Sequence, residues 1–236
     1  MILQTLAERA MEYARGMRVV DYCACLRAAY VVVRDEDGKE YIGMSHIPHE
    51  DLHNHRESIR PDVDNLLRLV RSLDVVNRSL GLALINAISQ KYVTVRYDEP
   101  PIEEPVCVIG NLGPLVKELS GKKVYVFERS AWLRGNALSD AEEELLIPEC
   151  RTNIITGMTL LNFTLERILE ISRGTNVLTG PSAGFYPEWA KGTKIHYVQS
   201  MKFHEIDRLR DFLKAGNFVS LKTHNHLGEI YSRRVS

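Results

Sequence analysis

The chain has 236 residues and a mass of 26.9 kDa, enough for one large domain or two small ones, either able to bury a core. Hydrophobic residues make up 44% and charged residues 26%, which excludes disordered, collagenous and coiled-coil chains. Thirty Lys and Arg stand against 31 Asp and Glu, a formal net charge of -1, so no global positive field gathers phosphates and a nucleic-acid binder is disfavoured.

Residues 3–15 carry Leu3, Leu6, Ala7, Ala10, Met11 and Ala14 at helical spacing, with Gly16 as a stop. Three β-rich runs follow at 19–26, 30–34 and 40–44, the last two joined by an Asp- and Gly-containing turn at 35–39, and they read as an antiparallel meander. Residues 62–72 and 78–89 return to helical spacing. Strands followed by packed helices make residues 1–98 an α+β unit. Residues 99–105 are acidic and proline-rich and serve as a linker. Beyond them, apolar runs at 106–109, 123–127, 153–156, 176–178 and 194–198 alternate with helical patterns up to 119 and at 140–146, 160–172 and 204–215. Such alternation predicts βαβ units and a parallel sheet over 106–236.

Cys23, Cys25, Cys107 and Cys150 are too few and too scattered for a disulfide scaffold and form no C-x-x-C knuckle. They are read as buried small hydrophobes, Cys23 and Cys25 on one face of a strand. No apolar run reaches the length of a membrane span and the first residues lack a leader pattern, so the expected location is cytoplasmic.

Three strand-end turns are the first functional candidates. Gly110-Asn111-Leu112-Gly113-Pro114 follows the first strand of the alternating half, and Glu128 ends the next one. A glycine turn opening a helix lets backbone N–H groups approach a polar ligand, and an acid on the neighbouring strand accepts from ribose hydroxyls. The spacing is G-x-x-G, however, not G-x-G-x-x-G, and the glycines also suit a bare strand-to-helix turn. Thr156-Gly157 and Gly180-Pro181-Ser182 fall at the same carboxyl edge, where ligands of open α/β sheets bind.

Two catalytic patterns also occur. Gly180-Pro181-Ser182-Ala183-Gly184 matches the G-x-S-x-G nucleophile elbow, with Asp207 or Asp211 and His224 or His226 in hydrolase order, but Phe185-Tyr186-Pro187 ends the required helix early. His49-Glu50-Asp51-Leu52-His53 matches H-E-x-x-H, in which two histidines one helical turn apart hold zinc and the glutamate activates water. That helix is polar nearly all round and no third ligand is evident, although His46 and His55 are near in sequence. A solvated histidine-rich segment is the competing reading. His224-Asn225-His226 reads as part of a polar tail.

Taken together, Arg78 to Ala87, Val108 to Pro114, Phe127-Glu128-Arg129, Ile155 to Thr164 and Gly180-Pro181-Ser182 resemble the prokaryotic family described as "putative heavy-metal chelation" along nearly the whole chain. The resemblance implies an α/β protein: an N-terminal α+β domain like the N-terminal domain of enolase, then a Rossmann-like parallel-sheet domain. It implies binding of a metal, a metal chelator or a small polar ligand in the interdomain cleft, without enolase chemistry, since the catalytic barrel is missing. Carried onto this chain it places Gly110, Asn111, Leu112, Gly113, Glu128, Arg129, Thr156, Gly157, Asn162, Gly180, Pro181 and Ser182 around one pocket. Asn111 and Leu112 stand where relatives more often have His and an aromatic residue, which argues against direct coordination at that turn.

A transferase or oxidoreductase using an adenosine-containing cofactor, and a zinc-dependent hydrolase with His49 and His53 as metal ligands, are the alternatives. A divalent transition metal is the candidate cofactor, and whether any reaction is catalysed stays open. The expected partners are a small molecule or metal, no nucleic acid and no membrane. A homodimer is the oligomer that symmetry favours.

Overall fold

The computed structural model describes residues 1–54 and 57–235 and shows an α/β protein with two sheets. The first helix, α1 (Ile2–Tyr13), buries Leu3, Leu6, Ala7 and Ala10, the predicted apolar stripe. Strands β1 (Arg18–Ala24), β2 (Ala28–Arg34) and β3 (Glu40–His46) form the antiparallel meander in the order β1-β2-β3. The 35–39 turn is closed by Asp35, whose Oδ1 accepts from the N–H groups of Asp37 at 3.1 Å and Lys39 at 3.0 Å.

Helix α2 (Leu66–Val70) occupies only the middle of the predicted 62–72 segment. Helix α3 (Val75–Ser89) is buried along its entire length. Asp74 caps it, accepting from Val76 N–H at 2.9 Å. Burial on all sides explains its hydrophobic continuity, and its few polar residues act as ties. Arg78 Nε donates to the Leu161 carbonyl at 2.8 Å, Asn86 Nδ2 to the carbonyls of Met44 at 2.8 Å and Ser182 at 3.2 Å, and Gln90 Nε2 to that of Met201 at 3.1 Å. Much of the Arg78 to Ala87 motif is therefore scaffold, joining the meander to the second sheet. Contact with β3 is main chain on main chain: a Cβ at Gly43 would lie 2.1 Å from Ala87 N.

The second sheet has six strands in the order β5-β4-β6-β7-β8-β9, with β4 (Val106–Ile109), β5 (Val124–Phe127), β6 (Thr152–Thr156), β7 (Thr175–Thr179), β8 (Tyr197–Phe203) and β9 (Gly228–Arg234). The first five are parallel. β9 pairs antiparallel with β8 from Tyr197↔Arg234 to Phe203↔Gly228. This edge strand corrects the reading of the end as a polar tail: Glu229 and Arg234 are exposed while Tyr231 and Ser232 are buried.

Between the strands lie α4 (Gly113–Glu118), α5 (Glu143–Leu146), α6 (Leu165–Ile171) and α7 (Ile206–Lys214). The predicted 160–172 helix is split. A 3-10 turn at Gly157–Leu160 precedes α6, and Phe163 between them takes φ 61°, which no helix continues through.

The cysteines are paired, Cys23 with Cys25 and Cys107 with Cys150, and no described cysteine is free. This corrects the reading of four unpaired thiols. Cys107 on β4 and Cys150 before β6 are neighbours because those strands are adjacent, with Cα atoms 5.7 Å apart. Among the described residues, no helix is long and apolar enough to cross a membrane.

Candidate functional site

The turns at the carboxyl ends of β4, β5, β6 and β7 do converge, and they bound a cavity of about 950 Å³. Gly110, with φ 97°, and Gly180, with φ 107°, sit in a region that residues with a Cβ rarely enter, so both chain reversals need glycine. The Gly110 turn, Glu128 to Ser130, Thr156, Asn162 and Gly180 to Ser182 form one wall. His46 to Glu50 at the end of β3 and Phe218 to His224, the segment after α7, also line the cavity.

Of the predicted ligand-binding residues, Gly110, Asn111, Leu112, Gly113, Glu128, Arg129, Thr156, Asn162, Gly180, Pro181 and Ser182 all line the cavity. Gly157 is not among the lining residues. It is packed behind the wall, where a Cβ would lie 2.6 Å from Ala183 N.

The hydrogen bonding revises the roles expected of these groups. Glu128 accepts from Asn111 N–H at 2.9 Å through Oε2 and from Ser130 N–H at 2.8 Å through Oε1. Within the turn, Leu112 N–H donates to Gly110 at 2.8 Å and Gly113 N–H to Asn111 at 2.9 Å. The donors expected to cradle an anion, and the acid expected to accept from a ribose, thus satisfy the protein itself. Helix α4, with six residues, supplies no long dipole behind the turn. Asn162 lies in the turn before α6, where its Oδ1 accepts from Thr164 Oγ1 at 2.8 Å and from Thr164 N–H at 3.2 Å.

Neither catalytic pattern keeps its required geometry. Residues His49–Asn54 form a 3-10 helix; with three residues per turn, positions four apart do not share a face as they do in an α-helix. His49 and Glu50 line the cavity. The side chain of His53, and His55 altogether, lie outside the described residues. No group of three or more His, Cys, Asp or Glu side chains suited to a metal ion occurs among the described residues. In the elbow pattern, Ser182 is buried in a 3-10 turn, Pro181–Ala183, with no α-helix behind it. Its Oγ accepts from the backbone N–H of His46 at 2.9 Å. Asp207 is almost fully exposed on α7, and His224 Nδ1 accepts from Ser220 N–H at 3.0 Å. Among the described residues, Ser182, His224 and Asp207 form no Ser-His-Asp relay.

The most distinctive residue of the cavity is one the sequence marked only by its neighbourhood. His46 is 4% exposed and its ring stacks on Phe218, with centroids 4.0 Å apart and planes 4° from parallel. Its Nε2 is buried and has no hydrogen-bond partner among the described residues. The ring also meets the Val219 backbone, which favours a proton on it and therefore acts as an acceptor. Burial pushes the imidazole down to about 4, so it is neutral at ordinary pH.

The β5 side of the cavity is acidic. Burial, and then the charges of Asp140, Glu144 and Glu128, push the Glu143 carboxyl up to about 7. Two of the lining cations are paired with carboxylates: Arg129 makes a two-pronged bond to Asp51 at 3.0 and 3.2 Å, and Lys222 reaches Glu118 at 2.8 Å.

Comparison with known proteins bears on both halves. A family model described as "Putative heavy-metal chelation" matches residues 100–226, and a second with the same description matches residues 7–89. An uncharacterized protein of Methanocaldococcus jannaschii is 31% identical over 91% of each chain. The crystal structure of a Pyrococcus horikoshii protein of unknown function superposes with a TM-score of 0.89 at 30% identity, covering 100% of both chains. One from Desulfitobacterium hafniense, at 17% identity, covers 98% of both chains with a TM-score of 0.71 and shares the fold. By these matches the chain belongs to the putative heavy-metal chelation family.

Proposed function

We propose that the protein binds a small ligand of the metal-chelating class, or its metal complex, in the cavity at the strand carboxyl ends. The observation that carries this reading is the convergence of four strand-end turns with the end of β3 on one space of about 950 Å³, within the size range of small-molecule sites. The lining combines apolar side chains such as Ile109, Leu112, Phe127 and Phe218 with a few polar groups, as expected where shape gives affinity and polar atoms give orientation. The family description supports the chemical class. An adenosine-containing cofactor is not favoured, because Glu128 and the Gly110 turn satisfy each other. A zinc hydrolase is not favoured either, because His49–Asn54 is a 3-10 helix.

Calorimetric titration tests the proposal with Zn²⁺, Ni²⁺ and Co²⁺, metal-free chelators, metal chelates, nucleosides and pterins as the panel. One saturable partner is expected, bound one to one. Gly113 lines the cavity with open space where its Cβ would lie, so Gly113→Trp blocks the site without disturbing the core. It should weaken binding tenfold or more. Silence across the panel, or full affinity in Gly113→Trp, would overturn the proposal.

A further inference from the structure

We propose that His46 Nε2 supplies a single nitrogen ligand to a metal ion that enters the cavity already held by an organic chelator. The inference rests on the cavity being the binding site and names the form in which the metal arrives.

Three observations lead to it. First, the imidazole is fixed before any ligand binds: it is stacked on Phe218 and its own backbone N–H is held by Ser182 Oγ. A neutral imidazole held in one orientation can present a ring-nitrogen lone pair to a metal ion. Second, Nε2 is buried without a partner among the described residues. Leaving a buried polar atom unsatisfied costs free energy, so a retained orphan in a cavity wall marks a place where a ligand completes the bonding.

Third, the described residues offer no complete coordination set. Among the described residues no three His, Cys, Asp or Glu side chains come together, whereas protein sites for free transition metals commonly use three or four such donors. One imidazole in the lining of a space of about 950 Å³ suits a metal whose remaining positions are filled by a chelator with one position open. Lone-pair donation from Nε2 displaces the water in that position, with no change in oxidation state. The chelator lies against apolar wall, and the carboxylates Glu128 and Asp140 on the β5 side favour a complex with net positive charge.

Copper(II) terpyridine, a flat tridentate complex with one open in-plane position, is the probe. Wild-type protein should bind one equivalent, and the copper EPR spectrum should gain the splitting of one imidazole nitrogen. His46→Gln should lose at least tenfold in affinity together with that signature, His49→Gln and His224→Gln should not, and added imidazole should restore binding to His46→Ala. Where the His46 variants do not fold, selective paramagnetic broadening of the His46 ring signals in wild-type protein gives the same answer. Wild-type affinity in a folded His46→Gln, or broadening confined to other histidines, overturns the inference. Metal-free chelator bound in a manner blocked by Gly113→Trp but indifferent to His46 would refute this inference and leave the cavity reading standing. A cavity that admits no member of the panel defeats both.

Discussion

Ser182 Oγ accepts the backbone N–H of His46 at 2.9 Å, both residues being buried, so one hydroxyl ties the end of the meander to the turn after β7. The serine that completes a nucleophile pattern in the sequence is thus a structural acceptor. Ser182→Ala leaves the His46 N–H buried and unpaired and is expected to destabilise the protein by about 1–3 kcal/mol. Urea denaturation measures it. A loss below about 0.5 kcal/mol, the size of an ordinary surface substitution, would show that the bond contributes little.

The two perturbed groups of the cavity act on stability in opposite directions with pH. His46 is pushed from 6.5 down to about 4. Its contribution is therefore complete above 6.5 and is lost as pH falls through 4, on the order of 3 kcal/mol in all. Glu143 is raised from 4.5 to about 7 by burial and by Asp140, Glu144 and Glu128. Its contribution is present below 4.5 and is lost as pH rises through 7. Between 4.5 and 6.5 the two offset each other. Glu143→Gln removes one side, so its denaturation free energy should climb more steeply than wild type across that window. Parallel profiles for the two proteins would refute the assignment.

Gly43 is where β3 crosses α3 main chain to main chain. An added methyl group would stand 2.1 Å from Ala87 N and 2.3 Å from Ala83 O, atoms of a buried helix that cannot withdraw. Gly43→Ala should yield little folded protein or lose more than about 4 kcal/mol, the range of exceptional single substitutions. Gly113→Ala, with open space around its Cβ and no left-handed φ, should change stability by less than about 1 kcal/mol. Thermal unfolding of both variants makes the comparison, and equal effects would contradict the packing described.

The two cysteine pairs should differ in weight. Cys107 and Cys150 are separated by 43 residues and Cys23 and Cys25 by 2. Cross-linking the longer separation restricts the unfolded chain far more, by about 4 kcal/mol in the chain-entropy treatment. Cys107→Ser/Cys150→Ser should therefore lose about 2–4 kcal/mol, while Cys23→Ser/Cys25→Ser changes stability little. Thiol titration of the denatured, unreduced protein should find none free. Four reactive thiols would contradict the pairing.

The strands and helices whose apolar spacing repeats over several residues, such as β2, β4, β6, α1 and α3, were legible because periodicity records burial directly. The breaks were not. Phe163, at φ 61°, ends a run that reads as continuously helical, and β9 hides in a polar segment because an edge strand needs few apolar residues. In the site, the glycine turns were legible from their position after strands. The occupation of Glu128 by Asn111 and Ser130 was not, since spacing does not say whether an N–H faces a ligand or a neighbouring carboxylate. The environment of His46 escaped for a similar reason: its burial comes from Phe218, Val219 and Ser182, all distant in the chain and brought together only by the packing of the meander on the second sheet.

The most direct measurement of the central claim is an anomalous difference map, recorded at the copper edge, from crystals equilibrated with copper(II) terpyridine. The account predicts one strong peak inside the cavity, about 2 Å from His46 Nε2, with planar density for the chelator running toward Glu128. Copper found only on the outer surface, with the space between Phe218 and the Gly110 turn free of added density, would contradict it.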